Sequence, residues 1–191
     1  AIASMKIVTT STVVLPSLKV KVLNDFMNFI TKFPEYESAL LDVTNTVSEN
    51  TPSRSDLEWA DYYYNQKAYL KAIYSYEKAL EYDPDNFTII KNLALLYLET
   101  NQFETAVLFT NNQIELYPSQ PILYLVNGTA NKQLDHLDMA IETLSMGLDY
   151  IYDNKKLQLD FYKQLSTTFQ LQGNIEASEA FTEKAIALEN N

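Results

Sequence analysis

The sequence repeats at a fixed interval, which equals the distance along the chain from Tyr63 to Tyr97. This repeat limits the possible folds more than any other feature of the sequence. Aromatic, alanine and proline residues recur at matching places in successive segments. The recurring sets are Tyr63 and Tyr97; Tyr69, Phe103 and Leu137; Ala72, Ala106 and Ala140; and Pro84 and Pro118. A segment of this length is typical of a helix-turn-helix unit that must stack on the next unit to bury its apolar side.

The second half of the first segment shows why the pattern predicts helices. Its apolar residues recur three or four positions apart, which places them on one side of an α-helix. These residues are Leu70, Ile73, Tyr76, Ala79 and Leu80. Pro84 then ends the helix, because proline has no amide hydrogen to donate and disfavours helix in the residue before it.

Residues 53–86, which read SRSDLEWADYYYNQKAYLKAIYSYEKALEYDPDN, resemble the consensus of the tetratricopeptide repeat family. Trp59 and Ala60 stand where that family has a Leu-Gly pair, and Tyr63 follows one turn later. The second helix of the segment carries Tyr69, Ala72, Tyr76 and Ala79 and ends at Pro84. The resemblance implies an all-α fold, a right-handed α-solenoid of helix-turn-helix units.

Three further segments follow the same pattern with decreasing fidelity. Residues 87–120 repeat it through Leu93, Ala94, Tyr97, Phe103, Ala106 and Pro118. Residues 121–154 repeat it with Asn127-Gly128 at the Leu-Gly pair, and with Tyr152 where proline is expected. Residues 155–191 match after a shift of four residues, through Leu165, Phe169, Gly173, Ile175, Phe181, Ala185 and Leu188. We therefore expect four units, with boundaries at 53–86, 87–120, 121–154 and 155–191.

The first 52 residues lack the repeat and need a separate interpretation. Residues 17–52 contain two amphipathic stretches that are divided at Phe33-Pro34, so we expect a pair of helices. This pair either caps the units or is a degenerate earlier repeat. Residues 1–16 are rich in Val and Thr, which favour an extended conformation, and no second strand is predicted nearby. We expect an extended arm there.

The composition restricts the kinds of partner. The net charge is −11 and Arg54 is the single arginine, which disfavours binding to the phosphates of nucleic acid. A protein or peptide that is neutral to basic and partly apolar suits an acidic chain better. No apolar stretch approaches the length of a membrane span. The chain has no cysteine, which fits the cytoplasm and the periplasm equally and leaves the compartment open.

Catalytic and cofactor motifs are missing from the sequence. His136 is the only histidine and falls in the predicted turn of the third unit, where an exposed side chain is expected. The three glycines occupy small-residue or turn positions of the repeat, which leaves none for a phosphate loop. The glutamates fall on helix faces that are expected to meet water. We therefore predict a binding protein with no catalytic residue, no cofactor and no metal.

The resemblance also implies where a partner binds. In the family, the first helix of each unit lines a concave groove that holds peptides. The positions of this chain that correspond to that groove are Leu57, Asp61, Tyr64, Asn65, Lys91, Leu95, Leu98, Glu99, Leu125, Thr129, Lys132, Lys163 and Thr167. Some members hold a terminal carboxylate with a clamp of polar side chains, of which Lys91 and Asn92 are present here. Asp61, Ile122 and Val126 occupy the remaining clamp positions, so recognition of a terminal carboxylate is not expected.

These residues predict an interaction module or scaffold that holds a partner in its concave groove. Two alternatives stay open at this point. One is a small acidic secretion-type chaperone that serves one client protein, and the other is a small-ligand receptor or enzyme that uses the groove. A homodimer through the C-terminal helix, which carries Phe181 and Ile186, is a further possibility if that helix is the last one.

Overall fold

The protein is described here by a computed structural model that covers residues 4–5, 7–8, 11, 13–48 and 52–190. Those residues contain helices and turns and no strand, so the predicted all-α class is confirmed for them. The helices are α1 (Pro16–Ile30), α2 (Glu37–Ser48), α3 (Pro52–Asn65), α4 (Tyr69–Tyr82), α5 (Phe87–Glu99), α6 (Phe103–Leu116), α7 (Pro121–Gln133), α8 (Leu137–Leu148), α9 (Lys155–Gln172) and α10 (Ile175–Glu189). A short 3-10 turn (Pro34–Tyr36) separates α1 from α2, at the predicted break.

The turn inside each predicted unit repeats with the period of the sequence. Lys67, Asn101 and Asp135 adopt positive φ angles of 57°, 57° and 62°, and each directly precedes the residue before the second helix. Gly173 takes the same place in the last turn, with φ of 85°. The first three turns are evenly spaced and the last follows after a longer interval, which matches the shift in the sequence pattern.

One hydrogen-bond motif closes all four of these turns. The amide after the left-handed residue donates to a carbonyl five residues earlier, which satisfies a carbonyl that the helix end leaves without a partner. The bonds are Ala68 to Tyr63 (2.9 Å), Gln102 to Tyr97 (2.8 Å), His136 to Asn131 (2.9 Å) and Asn174 to Phe169 (2.9 Å). The turns are therefore structurally equivalent although their sequences differ.

Contacts divide the chain into two compact units, residues 1–89 and 90–191. Within residues 1–89, α3 packs on α4, and Ala60, Ala72 and Ala79 are fully buried between helices. Trp59 stacks on Tyr63 with ring centroids 5.4 Å apart. The alanines thus allow the helices to approach closely, and the aromatic rings fill the space beside them.

The expectation of an extended arm in residues 1–16 is wrong where the structure describes it. Ser4, Met5, Ile7 and Val8 are helical, and the Ser11 amide donates to the Ile7 carbonyl at 3.1 Å. Met5 is 2% exposed. Its burial and this helical bond outweigh the preference of Val and Thr for extended backbone. The rest of the predicted arm before residue 13, apart from Ser11, lies outside the described residues.

Helix α2 contacts α3 and α4 through polar groups. The Tyr63 hydroxyl donates to Glu37 Oε1 at 3.1 Å, and Lys71 Nζ lies 2.8 Å from the same oxygen. Burial and the neighbouring Glu37 carboxylate raise the pKa of Tyr63. The assignment of the helical pair α1 and α2 as a cap or as a degenerate repeat stays a prediction.

In the compact part formed by residues 90–191, the centre of the core is a cluster of Tyr124, Leu144, Phe161 and Leu165. Gly147 lies against this cluster, because a Cβ atom there would meet Tyr124 Cβ at 2.5 Å and the Phe161 ring at 2.6 Å. Close approach of α7, α8 and α9 therefore requires glycine at this position. Over the described ranges, no helix is both long enough and apolar enough to span a bilayer.

Candidate binding surface

The predicted binding residues that lie within residues 90–191 occupy equivalent positions on the first helices of successive repeats. Nine of them lie on α5, α7 and α9 and together make up the first-helix face: Lys91, Leu95, Leu98, Glu99, Leu125, Thr129, Lys132, Lys163 and Thr167. The repeat relates Leu95 on α5 to Thr129 on α7. With the added shift of four, it relates Thr129 to Thr167 on α9.

The leucines of this face differ in exposure. Leu95 is 36% exposed and Leu98 is half-buried, whereas Leu93, Ala94 and Tyr97 on the same helix are buried. An amphipathic helix whose packing positions are already filled turns its remaining leucines toward solvent or a partner. Leu95 therefore offers apolar contact area on α5.

Leu125 has a different environment. It is half-buried and packs against the core cluster that contains Tyr124 and Leu144. The sequence places Leu125 in the groove because its register matches Lys91, but on α7 this position also reaches the core. Leu125 therefore contributes mainly to packing.

Lys132 joins the first helices of the third and fourth predicted units. Its Nζ donates to Gln164 Oε1 at 2.6 Å and to Thr167 Oγ1 at 3.2 Å, so two predicted site residues, Lys132 and Thr167, are in direct contact. Burial lowers the pKa of Lys132 because it removes water from the ammonium group. Both hydrogen bonds end on neutral oxygens, and within the described ranges no carboxylate forms an ion pair with Lys132.

Lys163 is paired instead of free. Its Nζ lies 2.7 Å from Glu189 Oε1 at the end of α10, and both side chains are about half exposed. An exposed pair of this kind stabilises the protein little and is readily exchanged. Lys163 can therefore leave Glu189 for another carboxylate at small cost. Lys91 is half-buried and Glu99 is exposed on α5.

The predicted binding residues that lie within residues 1–89 are Leu57, Asp61, Tyr64 and Asn65. Asp61 accepts a short hydrogen bond from the Tyr76 hydroxyl on α4, which gives it a packing role that the sequence does not indicate. Asp61 and Asn65 also line a cleft of 570 Å³ between α3 and the residues Met27, Asn28 and Thr31 near the end of α1. Leu57 is half-buried, and Tyr64 is exposed beside Tyr69, with ring centroids 6.1 Å apart.

A second cleft in residues 90–191 lies away from the predicted face and was missed from the sequence. It has a volume of 460 Å³ and is bordered by α6, α7 and α8. Asn127 and Asn131 form part of its lining, and the exposed His136 also lies there. The available signal was the repeat itself, because these two asparagines occupy positions that hold large apolar residues in the preceding segments.

The two residues named for a homodimer through the C-terminal helix α10 differ in exposure. Ile186 is exposed, whereas Phe181 packs against the core and stacks on Phe169 with centroids 5.7 Å apart. The homodimer through this helix stays a prediction.

Comparison with known proteins agrees with the repeat. The family model of the tetratricopeptide repeat matches residues 75–107. Stress-induced-phosphoprotein 1 of Caenorhabditis elegans is 40% identical over 53 residues, which make up 28% of this chain and 17% of that relative. The chain contains a tetratricopeptide repeat. Because the match spans so little of the relative's length, it identifies the repeat and not the activity of the whole relative.

Solved structures of similar fold extend over most of this chain. MamA from Desulfovibrio magneticus RS-1, from its residue 41 onward, aligns with a TM-score of 0.71 at 16% identity over 90% of this chain and 95% of that chain. YrrB, described as a TPR protein with an unusual peptide-binding site, aligns with a TM-score of 0.67 at 19% identity over 89% of this chain and 86% of its own. At these identities the likeness establishes the fold alone.

Proposed function

We propose that this tetratricopeptide repeat protein binds a peptide or an extended segment of a partner protein on its first-helix face. The observation that carries the proposal is the exposure of Leu95 on a helix whose packing positions are filled by buried Leu93, Ala94 and Tyr97. Leu98, half-buried one turn later, extends this apolar area along α5. A grouped apolar surface of this kind favours contact with a partner.

The electrostatics of the face define the partner further. Lys163 is paired with Glu189, which leaves Lys91 and Lys132 against Glu99 on this face. The face therefore carries a small excess of positive charge, although the chain as a whole carries −11. Lys132 is the most favourable of these cations for binding, because it is already partly desolvated and held by neutral oxygens. A partner carboxylate near it would form a charge-assisted hydrogen bond. The preferred segment therefore combines an apolar side chain for Leu95 with an acidic side chain for Lys132.

This proposal is narrower than the prediction from net charge. The overall charge favours neutral or basic partners at long range, since the summed field steers encounter. Short-range contacts on the first-helix face favour a carboxylate instead. The two effects act at different distances, and a segment that carries an acidic contact residue within a neutral or basic partner satisfies both.

A solved structure of similar fold also supports a binding role. YrrB, of similar fold, is described as having a peptide-binding site. We therefore propose a role as an interaction module or scaffold rather than as an enzyme.

Selection from a displayed library of short random peptides tests the proposal. Peptides selected on the wild-type protein are synthesised with a fluorophore, and their dissociation constants are measured by fluorescence polarisation. We expect sequences that share an apolar and an acidic residue, and we expect Leu95→Glu to weaken their binding by about tenfold or more, because it places a charge in the apolar contact.

Leu116→Glu is the matched control. Leu116 is an exposed leucine on α6, outside the first-helix face, so the same substitution there leaves binding unchanged. Equal weakening by both variants would contradict the proposal. Unchanged dissociation constants of the selected peptides for both variants would place the binding surface elsewhere. Failure to select any peptide, together with protection of one client from aggregation, would favour the chaperone alternative.

A further inference from the structure

The cleft between α6, α7 and α8 has a polar floor inside an otherwise apolar repeat. Asn127 and Asn131 on α7 lie at its base, and both are nearly fully buried. Leu108 on α6 and Met139 on α8 are exposed beside its opening. Glu104 and Glu142 complete its rim.

The cleft exists because the third segment departs from its own repeat. The position of Asn127 is held by Trp59 and Leu93 in the two preceding segments, and the position of Asn131 by Tyr63 and Tyr97. All four of those side chains are buried and fill the space between helices. Two asparagines are smaller and polar, so they leave that space open and place amide groups where a core is expected. Residues that break the local pattern of a fold in this way concentrate at functional sites.

The hydrogen bonds of the floor fix the direction of each amide. Asn127 Nδ2 donates to Thr110 Oγ1 at 2.8 Å and to Asn111 Oδ1 at 2.8 Å. Its Oδ1 consequently faces Asn131, whose Nδ2 donates to it at 2.8 Å. Exchange of the Asn131 oxygen and nitrogen would bring two oxygens together, so the network determines the orientation.

One acceptor is left over at the end of this chain of bonds. Asn131 is 3% exposed, and its Oδ1 is buried with no hydrogen-bond partner among the described residues. A buried oxygen without a donor is unfavourable, and a ligand that supplies an N–H group relieves it. The floor of the cleft therefore selects for a donor.

The rim adds a charge preference to this requirement. Glu104 and Glu142 lie on opposite helices, and neither has an ion-pair partner in the part of the chain that the structure describes. None of the described residues that line the cleft is a lysine or an arginine. A cationic donor therefore meets carboxylates at the opening and a free amide oxygen at the base. A guanidinium suits this arrangement better than an ammonium, because its several N–H groups can reach more than one acceptor at once.

We propose that this cleft is a second binding site, separate from the first-helix face, that takes an arginine side chain next to an apolar residue in a partner peptide. The guanidinium lies between Glu104 and Glu142 and donates to Asn131 Oδ1. The apolar neighbour covers Leu108 and Met139. Such a site would let one chain hold two segments of opposite charge.

Small peptides test this proposal without knowledge of the partner. The probes are acetyl-Leu-Arg-amide, the same peptide with citrulline, which keeps the shape of arginine without its charge, and acetyl-Leu-Glu-amide. The readout is the NMR shift of methionine methyl groups labelled with carbon-13. Met139 (49% exposed) lines the cleft, whereas Met146 (48% exposed) lies on the same helix and does not line it, so it is an internal control.

We expect the arginine peptide to shift Met139 saturably, with a dissociation constant of order 1 mM, and to leave Met146 unchanged. The citrulline and glutamate peptides bind about tenfold more weakly or not at all. Glu104→Gln with Glu142→Gln weakens the arginine peptide by about tenfold as well. Leu95→Glu has no effect here, which separates this site from the first-helix face.

A filled-cleft variant makes the test decisive. Asn127→Leu with Asn131→Tyr restores the residues of the second segment, removes the unpaired oxygen and is expected to melt higher than wild type. It must lose the arginine peptide. Retained binding in this variant, equal binding of arginine and citrulline peptides, equal shifts of Met139 and Met146, or no shift in wild type at about ten times the expected constant would each overturn the proposal.

Discussion

The Nζ atom of Lys132 lies 2.6 Å from Oε1 of Gln164, and this contact fastens the first helix of one repeat to the first helix of the next. The same ammonium also donates to Thr167, whose own hydroxyl donates to the Gln164 carbonyl at 3.0 Å. A charged group is therefore built into the first-helix face by neutral partners. Its protonation affects both stability and the proposed binding of a carboxylate.

Lys132 makes stability depend on pH in a defined direction. Its pKa is lowered by burial in the folded state, so the unfolded chain binds more protons as pH approaches the ordinary lysine pKa of about 10.4. The cost of burying the charge is fully present at neutral pH and is relieved as pH rises through the lowered pKa. The free energy of unfolding of wild type is therefore expected to rise relative to Lys132→Met between pH 7 and pH 10.

Urea unfolding at several pH values measures this difference. Lys156→Met, which removes an exposed lysine from α9, is the control for effects that any lysine loss produces. If the free energy of unfolding of wild type instead falls relative to that of Lys132→Met as pH rises, folding stabilises the ammonium of Lys132. Burial is then not the dominant effect on its pKa.

The left-handed turns predict stabilising substitutions. Asp135 adopts a φ of 62°, which costs a residue with a Cβ atom about 1 kcal/mol and costs glycine little. Asp135→Gly is therefore expected to raise the free energy of unfolding by about 0.5–1 kcal/mol. Gly173→Ala is expected to lower it by a similar amount, although a Cβ atom there meets no other atom within 4 Å. Thermal melts of the two variants should move in opposite directions. Movement in the same direction would show that backbone strain does not control these turns.

A substitution at Gly147 tests the packing of the core within residues 90–191. Alanine is the better helix former by about 1 kcal/mol, yet its Cβ atom would lie 2.5 Å from Tyr124 Cβ and 2.6 Å from the Phe161 ring. The clash is expected to dominate, so Gly147→Ala lowers the free energy of unfolding by about 1–3 kcal/mol. Ser145→Ala, at an exposed position of α8, is the matched control and should have little effect. A Gly147→Ala variant as stable as wild type would mean that the helices separate at no cost.

The sequence predicted the repeated elements well, because their determinants are local. Proline marks the helix ends, and the period of the sequence appears again in the positive φ angles of Lys67, Asn101 and Asp135. The shift of four residues before the last unit was visible in the pattern and is visible in the turn at Gly173. Neither feature depends on distant parts of the chain.

The details of the surface could not be predicted in the same way. The pairing of Lys163 with Glu189, the bond between Asp61 and Tyr76 and the core contact of Leu125 all depend on which helices meet. The helical conformation of Met5 likewise depends on its burial. Residue type and register give a candidate list, and tertiary contacts decide which candidates are available to a partner.

The sequence carries a signal for the cleft. Asn127 stands at the Leu-Gly pair of the repeat, where the two preceding segments have Trp59 and Leu93. A comparison of the segments position by position identifies Asn127 and Asn131 as polar residues in apolar positions. Only the structure shows that they enclose a volume and leave one oxygen unpaired.

The most direct test of the central claim is a methyl NMR titration of leucine-labelled protein with a peptide selected on the wild type. The account predicts that the largest shifts fall on Leu95 and Leu98 and that Leu116 stays unchanged, because the peptide lies along the first-helix face. Shifts centred on Leu108, with Leu95 and Leu98 unaffected, would contradict the claim and move the principal binding site to the cleft between α6, α7 and α8.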